Sequence, residues 1–197
     1  MITYIVILLF SIGACESNSA SLSKSQFNSA SSMTQNTDTA IFASGCFWGT
    51  EYYFLRAPGV LSTEVGYIGG HVVNPSYRQV CTGTTGHAEA VRVVFDPEKT
   101  NYEALCKLFY ETHDPTQLNR QGPDVGSQYR SAIFVRNEEQ RIIAEKLTRV
   151  LLDKGLMVVT EINDDAPFYS AEDYHQQYYD NKGGTPYCHS YIKRFDD

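Results

Sequence analysis

Cys46 combines a reactive side chain with a position that would activate it. It follows Gly45 at a predicted change from strand to helix, so its thiol would lie near the amino end of a helix. Unpaired backbone N–H groups and the helix dipole at such an end favour the thiolate over the thiol. Because the thiolate is the nucleophilic form, Cys46 is predicted to be a nucleophile. Phe47 and Trp48 follow it and would line an apolar pocket, although aromatic residues after a strand are more often ordinary core.

Glu89 is predicted to be a buried acid. Alternation along residues 87–95 places Glu89 on the same strand face as Val91 and Val93, and that face should be buried. Burial disfavours the charged form and raises the pKa of a carboxyl group. A carboxylic acid that stays protonated near neutral pH can act as a general acid. The alternative is a strand-end carboxyl that hydrogen-bonds to a tyrosine or to the backbone.

Cys188 supplies a second thiol. It lies near Gly183, Gly184 and Pro186, which favour coil over a packed element. A thiol on a mobile segment can travel to meet another sulfur. An activated cysteine, a buried acid and a mobile second thiol together suit reductive chemistry, in which an oxidised cysteine is later resolved as a disulfide.

The remaining cysteines do not indicate a metal centre. No two of the five cysteines have CxxC spacing, and no Cys/His cluster matches a zinc pattern. Cys106 is predicted to be a small buried residue within a helix, whereas the sequence leaves Cys81 open between a structural and a reactive role. Neither a metal nor a cofactor is predicted.

Six motifs make this sequence resemble the A-type methionine sulfoxide reductases. They occur in the family's order over roughly residues 39–190. The motifs are GCFWG at 45–49 followed by Glu51, GY at 66–67 with GG at 69–70, NPSY at 74–77, GHAE at 86–89, HDPT at 113–116 and QYRS at 128–131. The resemblance implies a two-layer α/β sandwich. It also implies an enzyme that reduces the S epimer of methionine sulfoxide, free or in proteins, and so repairs oxidised proteins.

The resemblance also implies a role for each matched residue. Cys46 attacks the sulfoxide sulfur, releases methionine and becomes a sulfenic acid, while Glu89 gives a proton to the sulfoxide oxygen. Cys188 then forms a disulfide with Cys46, which thioredoxin or a thioredoxin-like protein reduces. No cysteine follows Cys188 in this sequence, so a relay of one step is expected. The other implied residues are Tyr77 and Tyr129 at the sulfoxide oxygen, Phe47 and Trp48 at the S-methyl group, and Asp124 in the surrounding hydrogen-bond network.

Strand and helix patterns are interspersed along the part of the chain that must position these residues. Apolar or alternating segments predict strands at 39–44, 60–68, 87–95, 131–135 and 158–162. Helical spacing and capping signals predict helices at 48–56, 100–113, 137–154 and 170–182, with Thr100–Glu103 as a capping box and Asn137 as an N-cap. We therefore predict one α+β domain over residues 38–197, a mixed sheet with helices packed on it.

The amino-terminal segment is predicted to lie outside that domain. Residues 2–14 are apolar and uncharged and precede Cys15, which resembles a bacterial lipobox and implies cleavage before Cys15 and a lipid on its sulfur. The Ser/Asn-rich residues 15–37 are predicted to be a flexible tether. We expect a protein exported and lipid-anchored at the bacterial cell envelope. Because no Lys or Arg precedes the apolar run, an uncleaved anchor helix and a cytoplasmic protein are the alternatives.

The formal net charge of −7 argues against a nucleic-acid partner, which would need a basic surface. Two other functional classes compete with a reductase. A cysteine hydrolase would pair Cys46 with His87 or His113 as a base, and it would leave Cys188 idle. A surface-anchored binding lipoprotein would need none of these residues for catalysis.

Overall fold

The computed structural model describes Met1 and residues 36–196. The predicted signal segment, Cys15 and most of the predicted tether lie outside the described residues. None of the helices in the described range has the length and apolar character needed to span a bilayer.

Six of the strands form one mixed sheet. The strands are β1 (Asp38–Ser44), β2 (Val60–Ile68), β3 (Ala88–Phe95), β4 (Arg120–Gln121), β5 (Asp124–Val125), β6 (Ser131–Val135), β7 (Glu161–Asp164) and β8 (Tyr169–Ser170). The order across the sheet is β7-β6-β1-β3-β2-β8, and β4 and β5 pair separately as a hairpin. The β6–β7 pair is parallel, while the other pairs in the sheet are antiparallel.

The three longer helices pack on one face of this sheet. The helices are α1 (Phe47–Leu55), α2 (Tyr77–Val80), α3 (Tyr102–Thr112), α4 (Glu138–Asp153) and α5 (Tyr178–Lys182), with 3₁₀ turns at Ser127–Tyr129 and Asp173–His175. Phe42 of β1 stacks on Phe54 of α1 and on Phe109 of α3, at centroid distances of 5.0 and 5.2 Å. Alternate strand residues point to the opposite face, where a second cluster of alanine, isoleucine and phenylalanine side chains packs against Ala166 and Phe168. The predicted α+β class and the two-layer sandwich are confirmed.

Two helix starts were predicted with different success. Asn137 caps α4, and its side chain accepts a hydrogen bond from the N–H of Gln140 at 2.9 Å, as predicted. The capping box at Thr100 is wrong. The cap of α3 is Asn101, whose side chain accepts from the N–H of Ala104 at 2.9 Å. Asparagine is a better N-cap than threonine, so the local preference favours a helix that starts one residue later than predicted.

The helix predicted over residues 170–182 is wrong for most of its length. The chain there forms β8, a 3₁₀ turn and the short helix α5. Gln177 interrupts it with a left-handed backbone (φ 50°), and its N–H donates to Glu51 Oε2 at 2.7 Å. A bond to a residue 126 positions away outweighs the local helix preference. The strand predicted at 158–162 lies slightly later, at Glu161–Asp164.

The sheet brings the end of β1 next to the start of β3. Phe42 is paired with Val91, and Tyr67 of β2 with Glu89, so the chain leaving β1 passes Glu89 as it turns into α1. Cys46 is therefore placed beside Glu89 by strand register and by the β1–α1 turn.

Candidate active site

The β1–α1 turn places Cys46 at the N-cap of α1, as predicted. Gly45 makes the turn possible, because its φ of +99° favours glycine and a Cβ there would lie 2.5 Å from Cβ of Gln121. The carbonyl of Cys46 accepts hydrogen bonds from the N–H groups of Gly49 and Thr50 at 3.1 and 3.3 Å. Its side chain is buried.

Glu89 is buried at the same helix end, with 2% of the residue exposed. Its Oε2 accepts a hydrogen bond from the backbone N–H of Phe47 at 3.1 Å. Burial raises the pKa of Glu89 well above its usual range and Cys46 raises it further, while the Phe47 N–H lowers it. The prediction of a buried acid is confirmed. The carboxyl group can therefore stay protonated while it is bonded to Phe47, the residue that follows the candidate nucleophile.

Cys188 lies against Cys46 in the reduced state. The Sγ atoms of Cys46 and Cys188 and a carboxyl oxygen of Asp124 lie within 4.8 Å of one another, and both thiols are free. This spacing would also allow the three side chains to hold a metal ion. The hydroxyl of Tyr187 donates to both carboxyl oxygens of Asp124, at 3.1 and 3.2 Å. The segment that carries Cys188 is coil, as predicted, but its thiol is buried beside its partner.

The contact with Cys188 changes the protonation expected for Cys46. A hydrogen bond with the Cys188 side chain and then burial raise the pKa of Cys46 well above its usual value. The backbone N–H of Trp48 lowers it, as expected for a helix start, but this effect is outweighed. The prediction of a stabilised thiolate is wrong for this arrangement. Cys46 is held as a thiol while Cys188 is docked.

Aromatic rings form one wall beside Cys46. Phe47 is buried and Trp48 is half-buried. The indole of Trp48 stacks on Tyr178 with centroids 3.7 Å apart, and its Nε1–H donates to Nδ1 of His175 at 3.1 Å. The His175 ring also lies 5.1 Å from the Phe47 ring. Two contacts therefore fix the indole plane, while the apolar pocket itself stays a prediction.

Tyr77 and Tyr129 stand near Glu89. Burial raises the pKa of both tyrosines. A hydrogen bond with the Cys81 side chain raises that of Tyr77 further, and the Glu89 carboxyl raises both, so the hydroxyls stay protonated. Glu172 holds Tyr77 in place, because its Oε1 accepts the Tyr77 N–H and its Oε2 accepts the Tyr67 hydroxyl, both at 2.9 Å. The structure thus groups all the residues that the sequence had assigned to one site.

The two histidines considered as hydrolase bases are engaged elsewhere. Both ring nitrogens of His113 make hydrogen bonds, to the Phe109 carbonyl at 2.6 Å and the Ser131 hydroxyl at 2.8 Å. Those of His87 bond the Gly70 N–H at 3.1 Å and the Val72 carbonyl at 2.8 Å. Neither histidine is available to activate Cys46.

Of the other two cysteines, Cys106 lies away from this group, whereas the side chain of Cys81 forms a hydrogen bond with Tyr77. Cys106 is fully buried within α3, as predicted, and Cys81 is exposed at the carboxyl end of α2.

Sequence reasoning missed four residues of the site: Glu172, His175, Tyr187 and His189. Tyr187 and His189 flank Cys188, so adjacency to a proposed reactive thiol was an available signal. Glu172 and His175 act on residues about 100 positions earlier in the chain, and no local pattern indicates such a contact.

Comparison with known proteins places the chain among sulfoxide reductases. The sequence model of the family described as peptide methionine sulfoxide reductase (PMSR) matches residues 38–197. The peptide methionine sulfoxide reductase of Methanosarcina acetivorans is 53% identical over 152 residues, covering 76% of this chain and 81% of that protein.

Solved structures agree with this match. Methionine sulfoxide reductase A of Corynebacterium diphtheriae is 40% identical with a TM-score of 0.68, covering 77% of this chain and 78% of that one. Reduced Mxr1 from Saccharomyces cerevisiae is 32% identical with a TM-score of 0.74, covering 81% and 93%. Mxr1 in complex with Trx2 is 22% identical with a TM-score of 0.54, covering 79% of this chain and 89% of that one. This match shows a similar fold.

Glu89→Gln is expected to raise the free energy of unfolding at neutral pH. The raised pKa means that the folded protein keeps the Glu89 proton at pH values where the unfolded carboxyl, with a pKa of about 4.3, has lost it. Stability therefore falls as pH rises through this window, by about 1.4 kcal/mol per pKa unit of the shift. Glutamine is neutral and can still accept the Phe47 N–H, so the variant escapes this loss.

Urea unfolding at a series of pH values checks this expectation. The free energy of unfolding of Glu89→Gln should exceed that of wild type by little near pH 4, and the difference should grow towards neutral pH. Glu98→Gln, at an exposed position, is the matched control. A difference between Glu89→Gln and wild type that does not change with pH would contradict the raised pKa.

Proposed function

The chain belongs to the peptide methionine sulfoxide reductase family and is a thiol-dependent oxidoreductase that reduces methionine sulfoxide, and we propose that it acts on the S epimer through Cys46. The observation that carries this proposal is the meeting of Cys46, Glu89 and Cys188 at the amino end of α1. Its substrates are free methionine sulfoxide and oxidised methionines in proteins, so the reaction repairs oxidative damage.

The first step transfers the sulfoxide oxygen to Cys46. The Cys46 sulfur attacks the sulfoxide sulfur while protonated Glu89 gives a proton to the sulfoxide oxygen, which weakens the S–O bond. Methionine leaves, and Cys46 becomes a sulfenic acid. The burial of Glu89, which keeps its carboxyl protonated, supports this role.

The hydroxyls and rings around Cys46 orient the substrate. Tyr77 and Tyr129 donate hydrogen bonds to the sulfoxide oxygen, and Phe47 and Trp48 contact the S-methyl group. The fixed position of Trp48, stacked on Tyr178 and bonded to His175, supports a pocket that distinguishes the two epimers by shape. Asp124 belongs to the surrounding network through its contact with Tyr187.

The second step resolves the sulfenic acid. Cys188 attacks Cys46, water leaves, and a Cys46–Cys188 disulfide forms, which thioredoxin or a thioredoxin-like protein then reduces. The short distance between the two sulfurs supports a direct, one-step relay. Mxr1 has been solved in complex with Trx2, which supports a reductant of this class.

The full chain with dithiothreitol is expected to reduce the S but not the R epimer of methionine sulfoxide. Cys46→Ser should abolish this reaction, because a hydroxyl cannot supply the thiolate nucleophile. Chromatography of the remaining epimers measures both results. Equal consumption of the two epimers would contradict the stereochemical proposal, and Cys46→Ser activity within about tenfold of wild type would contradict the assigned nucleophile.

Cys188→Ser is expected to release about one methionine per enzyme and then stop when thioredoxin is the reductant. The sulfenic acid still forms on Cys46, but no second thiol lies beside it. Cys106→Ala changes a buried thiol of α3 that lies away from the site and is the matched control, with turnover expected to continue. Sustained thioredoxin-dependent turnover by Cys188→Ser would show that another route reduces Cys46.

We also propose that the protein is exported and anchored at the bacterial cell envelope by a lipid on Cys15. The apolar residues 2–14, the lipobox-like residues before Cys15 and the Ser/Asn-rich segment after it support this proposal. Acyl chains would supply about 0.8 kcal/mol per buried methylene, and more than one chain makes the anchor firm.

Wild type expressed in bacteria should therefore fractionate with membranes and incorporate labelled palmitate. Cys15→Ala should lose the label, whereas Cys81→Ser should keep it. Unlabelled wild-type protein in the cytoplasm with Met1 intact would refute the lipid anchor.

A further inference from the structure

His189 is a buried side chain of the site to which the proposed function assigns no role. It follows Cys188 in the coil after α5, and 6% of the residue is exposed. Its Nδ1 lies 3.1 Å from Sγ of Cys188, and its Nε2 lies 2.8 Å from the backbone carbonyl oxygen of Ser44. The imidazole therefore joins the Cys188 thiol to the last residue of β1, two positions before Cys46.

The bond to Ser44 determines which ring nitrogen carries the proton. A backbone carbonyl can only accept a hydrogen bond, so Nε2 must be the donor and hold the hydrogen. In a neutral imidazole Nδ1 is then an acceptor, and the group it faces is the thiol of Cys188. The hydroxyl oxygen of Thr50, 3.3 Å from Nε2, can accept from the same N–H.

Helix α1 leaves room for this ring at Gly49. A Cβ built on Gly49 would lie 2.2 Å from Nδ1 of His189, so any larger residue would displace the imidazole. Glycine inside a helix costs about 0.5–1 kcal/mol relative to alanine. The space that this glycine leaves is filled by the ring that contacts Cys188.

Burial also keeps the imidazole in its accepting form. It holds the pKa of His189 at about 4, although the Ser44 carbonyl and the nearby Asp124 raise that pKa. The ionisable groups around the ring are Cys188, Cys46, Asp124 and His113. Near neutral pH the ring is uncharged, and the lone pair of Nδ1 is free to take a proton.

We propose that His189 is a catalytic base that takes the thiol proton of Cys188 when this cysteine attacks the Cys46 sulfenic acid. The S–S bond forms as the S–O bond of the sulfenic acid breaks, so the Cys188 sulfur is oxidised and the Cys46 sulfur is reduced. The proton on Nδ1 passes to the departing hydroxide, which leaves as water. The S–H group becomes strongly acidic only as the Cys188 sulfur bonds to Cys46, so the weakly basic imidazole takes the proton during the attack and not before it. The inference rests on the proposed function for the origin of the sulfenic acid.

His189→Gln tests the base while keeping the anchor. The glutamine amide can still donate to the Ser44 carbonyl, but it cannot accept a proton from a thiol at neutral pH. The full-length reduced protein is oxidised once, with methionine sulfoxide or separately with hydrogen peroxide, in the presence of dimedone, which captures sulfenic acids. Mass spectrometry then gives the ratio of dimedone adduct to Cys46–Cys188 disulfide.

The ratio is expected to rise in His189→Gln by about 10²–10⁴-fold, the usual effect of removing a general base. Methionine released in the first turnover should stay at the wild-type amount. Ser190→Ala, at the exposed neighbouring position, should leave the ratio unchanged. His189→Asn, whose shorter amide also lacks a base, is a second variant with the same expectation.

The pH profile separates a base from a residue that only positions Cys188. If His189 is a base, the defect should shrink as pH rises, because hydroxide then generates the Cys188 thiolate directly. A ratio changed by less than about tenfold would overturn the proposal, as would a defect of equal size at every pH. Hydrogen peroxide bypasses the sulfoxide. A protein that forms the disulfide with peroxide but releases no methionine would thus contradict the proposed function alone.

Discussion

The hydrogen bond from the backbone N–H of Phe47 to Glu89 joins the first turn of α1 to strand β3, and the site is organised around it. The bond satisfies one of the N–H groups that a helix start leaves unpaired, and it partly offsets the cost of burying a carboxyl group. Because the N–H belongs to the residue after Cys46, the acid and the thiol cannot move independently. An acid in this position must be buried to stay protonated, and the sheet face beneath α1 supplies that burial.

The segment after β7 completes the site through a few polar contacts with the sheet, α1 and α2. Glu51 accepts the Gln177 N–H, Glu172 accepts the Tyr77 N–H, and His189 donates to the Ser44 carbonyl. The first two contacts satisfy N–H groups at the starts of α5 and α2, where a helix supplies no partner. This explains how a segment with little regular structure can hold Cys188 beside Cys46.

Local patterns in the sequence predicted the strands and helices that pack on the core. The alternation at β3 also predicted the burial of Glu89. Alternate residues of a strand share one face, and Glu89 lies on the face whose other side chains are apolar. The patterns failed where distant residues decide the structure. The region 170–182 has helical spacing, yet hydrogen bonds to Glu51 and to the Tyr77 N–H hold it in another conformation. The pKa of Cys46 depends on Cys188, a residue 142 positions later, which no helix-end argument includes.

The contact between the two cysteines acts differently before and after the sulfoxide is reduced. Before reduction, the hydrogen bond with Cys188 raises the pKa of Cys46, which favours the thiol over the thiolate. In the mechanism proposed above, attack on the sulfoxide sulfur would require this bond to break, and the proton that Glu89 gives to the sulfoxide oxygen would assist that attack. After reduction, the same proximity places Cys188 within reach of the sulfenic acid. In the proposed mechanism, the same thiol would therefore both raise the pKa of the nucleophile and resolve its product.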